Sequence, residues 1–199
     1  MNRKKEQGEQ TKKQVAEAAK HLFAQKGYKG TSIEDIAAAT GKSKGNIYYH
    51  FGSKEGLFQY LLDEWDRDWL EQWRERESTW FTITEKLQGL AEHIVKNDLN
   101  HPLTKAMDEF LSSEWDNSEV QDKVTEFYTA QITFYQEILQ AAMADGQIQQ
   151  HDERMLAVIL GALMMGLGEM SRRTQVNDTL ELYRQAMHVF LQGTLDPGT

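Results

Sequence analysis

Proline occurs at only two positions, Pro102 and Pro197, so nothing in the first 101 residues removes a backbone N–H donor or kinks a helix. Between scattered glycines the chain is rich in Ala, Leu, Glu, Gln and Lys, residues that lose little side-chain freedom in a helix. That composition predicts an all-α protein. At 199 residues and 40% hydrophobic content, the chain suffices for one full-sized domain or for a small domain joined to a medium one.

Hydrophobic spacing supports the same conclusion element by element. Val15, Ala18, Ala19, Leu22 and Phe23 fall on one helical face, and Gly27 follows as a stop. Thr31-Ser32-Ile33-Glu34 reads as a capping box, with Ile33, Ile36 and Ala37 supplying the buried face of a second helix that ends by Gly41. Ser43 caps a short third helix running from Lys44 to His50, and Phe51-Gly52-Ser53 breaks it. Two short helices joined by a tight glycine-containing turn have helix-turn-helix geometry. If Ile47 and Phe51, spaced i and i+4, point inward, then Lys44, Tyr48 and Tyr49 or His50 project outward. Such a surface calls for a partner. Longer helices are predicted at roughly 54–76, 82–97, 102–114, 118–145, 152–173 and 179–194, making about nine in all. The helix pattern divides the chain into an N-terminal three-helix segment with a helix-turn-helix, 1–53, and a longer all-helical segment, 54–199.

The net charge of −9 would repel nucleic acid if it were spread evenly, but it is not. Residues 1–55 hold 11 Lys/Arg against 6 Asp/Glu, a local charge of +5, and the remaining residues carry −14. A basic head on an acidic body implies that only the head meets phosphate. Arg3, Lys4, Lys5, Lys12 and Lys13 are expected to add phosphate contacts from a tail. Cysteine is absent, the six histidines lack metal-ligand spacing, and no Gly-rich phosphate loop follows a strand. Neither an enzyme, a metal site nor a cofactor is expected. The start of the chain is charged, and the longest uncharged apolar run, residues 155–168, is shorter than the roughly 18 residues of a membrane span. The expectation is a cytoplasmic protein with no membrane partner.

Thr31-Ser-Ile-Glu-Asp-Ile-Ala37, followed by Gly41-Lys-Ser-Lys-Gly-Asn-Ile-Tyr-Tyr-His-Phe51 and Lys54-Glu-Gly-Leu-Phe58, resembles the signature of the TetR family of transcriptional repressors. Ser43 to Phe51, with Trp69-Leu-Glu-Gln-Trp73, is similar within it to the QacR-like multidrug-binding repressors. The resemblance implies a homodimer of nine-helix subunits, operator binding through the third helix in the major groove, and release when a small molecule enters the C-terminal part. On that implication Thr31, Ser43, Tyr49, His50 and Lys54 carry donors for phosphate, while Lys44, Asn46 and Tyr48 suit base edges and Gly45 permits close approach. Activators share the same motif physics.

Trp65, Trp69 and Trp73 recur at i, i+4 and i+8, an aromatic stripe that attracts lipophilic cations as readily as neutral bulk. Gapless alignment with the QacR-like pocket adds Asp98, His101, Thr104, Tyr128 and Gln131 to Trp69 as ligand-contacting positions. A lipophilic cation that controls an efflux or detoxification gene is the first reading. An acyl compound, or a protein partner without a small ligand, is the rival. Residues 155–168 are apolar nearly all round, so burial on both sides follows. Gly161, Ala162, Met165 and Gly166, with Tyr183, Met187 and Phe190, are therefore expected to form a four-helix homodimer interface.

Overall fold

A computed structural model describes residues 3–112 and 118–194, and these form α-helices and loops without a strand. In order they are α1 (Arg3–Lys26), α2 (Ile33–Thr40), α3 (Lys44–Phe51), α4 (Lys54–Glu77), α5 (Ile83–Asn97), α6 (Thr104–Leu111), α7 (Ser118–Ala144), α8 (Glu153–Thr174) and α9 (Thr179–Gln192). The first helix begins twelve residues before Val15, so Lys12 and Lys13 are helical and not part of a tail; the side chains of Arg3, Lys4 and Lys5 lie outside the described residues.

Local chemistry sets most of the ends. Gly27 and Gly41 adopt φ of 75° and 67°, the left-handed conformation that ends α1 and α2 and that a side chain would strain. The capping box of α2 lies one residue later than the sequence suggests. Ser32 Oγ accepts from Asp35 N–H at 3.1 Å and Asp35 Oδ2 accepts from Ser32 N–H at 3.0 Å. Thr31 is unavailable because its hydroxyl donates to the Gly27 carbonyl at 2.8 Å. Thr82 and Glu85 make a second box at α5, and Asp152 and Asp178 cap α8 and α9.

The chain divides into two compact units. The first comprises Met1–Glu71 and His101–Gln121, the second Gln72–Asn100 and Asp122–Thr199. In the first, Val15, Ala19 and Phe23 of α1 pack with Ile33 and Ile36 of α2 and Ile47 of α3. An aromatic cluster of Phe23, Tyr28, Phe58 and Phe110, with centroids 4.8–5.9 Å apart, joins α1, α4 and α6. Fully burying each such ring stabilises by roughly 2–3 kcal/mol. Leu57, Phe58 and Leu61 of α4 are buried in this first unit with that cluster.

In the second unit, α5 and α9 lie side by side and α8 packs on α9. Its core holds Trp73, Leu87, Leu90, Tyr135, Leu139, Leu160, Tyr183 and Met187. Gly89 is needed for close approach, since a Cβ there would fall 2.3 Å from the Trp80 ring. The half-buried Glu92 of α5 accepts from Arg76 at 3.1 Å and from Arg184 at 2.5 Å, tying the last turn of α4 to α5 and α9.

α8 is long and apolar enough, by length and composition, to cross a membrane. A helix that is core on one side and apolar on the other has the same composition. Ala157, Leu160, Gly161, Met164 and Gly168 face inward, whereas Met155, Val158, Ile159, Ala162, Met165 and Gly166 face solvent.

Candidate nucleic-acid interface

The third helix is built to be presented. It is eight residues long, Ser43 Oγ caps it by accepting from Asn46 N–H at 3.2 Å, and only Ile47 is fully buried. Phe51, the second expected anchor, is half-buried against Tyr60, with Lys12 Nζ 4.2 Å from the Tyr60 centroid. The opposite face is open. Tyr48 is 46% exposed and Tyr49 84%, Lys44 and Gly45 are exposed, and a Cβ at Gly45 would meet only the Ser43 hydroxyl, at 4.0 Å. Apolar ring surface left in water on a short helix is unfavourable unless something covers it.

The candidates are not equivalent in this setting. Thr31 is 1% exposed and its hydroxyl is held by carbonyls of the α1 end, so it cannot serve a phosphate; its role is to brace the α1–α2 turn. Asn46 is half-buried with its Oδ1 shielded from solvent, which removes one of the two groups a bidentate adenine contact needs. His50 is half-buried under Tyr49, rings 5.2 Å apart. Lys54 Nζ lies 4.2 Å over the Tyr28 ring, and Lys44 is hydrogen-bonded to Glu34.

The body candidates divide between the two units. In the first, the Trp65 and His101 rings stack at 3.8 Å and 13°, and the desolvated His101 imidazole is lowered to about 4, with Lys20 adding to the effect. Trp69 and Thr104 are half-buried in the same unit. In the second unit, Trp73 is 2% exposed, donates to Glu77 at 3.1 Å and packs against Trp80, His93 and Phe134. It is core, not a ligand-facing surface. Tyr128 and Gln131 are half-buried there. Asp98 caps the end of α5, and its charge reinforces the burial that raises the Tyr135 and Tyr183 phenols, Tyr183 to about 12.

Four of the expected dimerisation residues turn inward. Tyr183, Met187 and Phe190 line the core of the second unit, and Gly161 sits against Ile132 and Tyr135. The side of α8 that faces out carries Ala162, Met165 and Gly166, joined by Met155, Val158 and Ile159. Sequence periodicity could not separate the two sides, because α8 is apolar on both.

A three-helix head with a capped, solvent-facing third helix defines a helix-turn-helix DNA-binding protein. Residues 15–61 match the family of bacterial regulatory proteins, tetR family, and residues 65–195 match QacR-like protein, C-terminal region. The chain belongs to the TetR family of bacterial transcriptional regulators, DNA-binding proteins and not enzymes. It is 26% identical over 182 residues to the regulator QacR of Staphylococcus aureus, covering 92% of this chain and 97% of that one. The fold is also that of FadR from Bacillus subtilis solved with stearoyl-CoA (TM-score 0.75, 23% identity, 90% of this chain and 97% of that one). A regulator from Saccharomonospora viridis solved with choline shares it too (TM-score 0.78, 22% identity, 94% and 99%).

Proposed function

We propose that the protein is a homodimeric cytoplasmic repressor that holds operator DNA through α3 and leaves it when a lipophilic cation binds the helical body, controlling an efflux or detoxification gene. The observation that carries the DNA-reading surface is the exposure of Lys44, Gly45, Tyr48 and Tyr49 on one side of a capped helix. Lys44 and Tyr48 are assigned to base edges, and Ser43, Tyr49, His50 and Lys54 to phosphates. Residues 1–53 form the reading segment and 54–199 the sensing and dimerising one.

Dimerisation is assigned to the outward stripe of α8, whose exposed apolar residues recur every three or four positions along one helical face, since such a patch on a folded chain marks a contact surface. The preference for a cation rests on Asp98, whose negative charge reinforces the burial that raises the Tyr135 and Tyr183 phenols within the second unit.

Intrinsic tryptophan fluorescence of the purified protein, titrated with tetraphenylphosphonium and separately with stearoyl-CoA in the presence of an operator duplex, tests this. Saturable quenching with DNA release by the cation alone is expected. Release by stearoyl-CoA alone would replace the cation with an acyl ligand, and release by neither would assign the body to a protein partner.

A further inference from the structure

The reading helix carries a charge partner contributed by the helix before it. Lys44 Nζ donates to Glu34 Oε1 across the α2–α3 turn, and the two side chains are 52% and 62% exposed. Each holds the other more firmly in its charged form. The neighbouring Asp35 is committed elsewhere, to Ser32 of its own capping box and to Lys26 at 2.9 Å. In α2 and α3 together, Glu34 is therefore the carboxylate set against the cation of the reading face.

A lysine ammonium has three N–H donors and one charge. Its attraction to phosphate is coulombic and independent of sequence, and supplies essentially all of non-specific binding. Its attraction to guanine O6 and N7 is a hydrogen bond to neutral acceptors. Pairing with Glu34 occupies one donor and offsets the lysine's charge locally, to the modest extent of a solvent-exposed pair. Two donors remain for a base edge, while the pull toward phosphate is weakened.

We infer that Glu34 is a specificity-determining residue of this regulator, one that keeps Lys44 off the phosphate backbone and reserves it for base edges. The inference rests on the reading that α3 enters the major groove. Because Glu34 acts through Lys44, it is a positioning residue, and its mark is a change in the ratio of operator to random-sequence affinity.

The test uses an operator selected from a random duplex library by the wild-type protein, and fluorescence anisotropy with that duplex and a scrambled one between 50 and 300 mM KCl, a range on the order of that over which salt slopes are read. Glu34→Gln is expected to tighten scrambled-duplex binding about five-fold while changing operator affinity by about two-fold or less. Its salt slope on scrambled DNA should steepen by about one, the signature of one further lysine engaged with phosphate. In a Lys44→Ala background Glu34→Gln should lose this effect, since the carboxylate acts through the lysine. An unchanged specificity ratio and salt slope in a folded Glu34→Gln variant would overturn the inference while leaving the α3 reading intact. If Lys44→Ala by itself leaves operator binding untouched, α3 is not the reading helix and both fall.

Discussion

At the scale of single residues, type and position are weak guides until the partner of each polar atom is known. Thr31 begins a well-formed signature, but its hydroxyl closes the α1–α2 turn. Thr31→Val should cost roughly 1–2 kcal/mol through the unsatisfied Gly27 carbonyl, read as a lower melting temperature, with operator affinity unchanged below the transition. Lys44→Ala and Tyr48→Ala should do the reverse, because both side chains are exposed: operator affinity falls by about ten-fold or more, with melting unchanged within about 0.5 kcal/mol.

His101 makes a pH prediction at the same scale. Its folded pKa, about 4, lies below the ordinary value of 6.5, so folding favours the neutral ring. The associated stability is fully present above about pH 6.5 and is lost as pH falls toward 4. Melting curves from pH 7 to 4.5 should therefore drop more steeply for wild type than for His101→Gln. Parallel curves would mean that the ring stacked on Trp65 is not desolvated in solution.

At the scale of the element, a helical stripe defines a direction, not a role. The i, i+4, i+8 tryptophans of α4 share a face, yet Trp73 is enclosed by Trp80, His93 and Phe134 while Trp65 lies against one imidazole. Trp73→Ala is expected to destabilise by about 3–5 kcal/mol, the loss typical of an emptied aromatic site. The Arg76–Glu92–Arg184 bridge joins three helices of one unit through a single carboxylate that is 24% exposed. Glu92→Gln should lower stability by about 1 kcal/mol after allowing for solvent screening, near 2–4 °C in melting temperature. The effect should shrink as pH falls, since the two arginines hold the Glu92 carboxyl below its ordinary range and protonation removes the bridge in wild type as well.

At the scale of the molecule, the dimer interface proposed on the outward stripe of α8 would set whether one head or two reach DNA. Met165→Glu should give a monomer by light scattering and lower operator affinity about a hundred-fold or more, because each head alone sees a half-site and the intramolecular second contact is lost. A stable dimer with Met165→Glu would place the interface elsewhere. Gly161→Glu is the less informative substitution, since that position already packs on Ile132 and Tyr135 and its failure would report a broken core.

Helix number, approximate helix ends and the helix-turn-helix could be read directly from the chain, because caps, left-handed glycines and apolar spacing act over four residues or fewer. The charge division between head and body could be read as well, being a property of composition. What folding alone decided was which of two similar groups does which job. Ser32 and not Thr31 caps α2, Ala162 and not Gly161 faces out, Trp73 and not Trp65 becomes core, and Glu34 and not Asp35 meets Lys44. In each case the two residues are neighbours or share a helical face, and local energetics treat them nearly alike. For Ser32 the difference comes from the turn that ends α1, where the Gly27 carbonyl takes the Thr31 hydroxyl; in the other three it comes from atoms of another helix, whose positions exist only once the chain has packed.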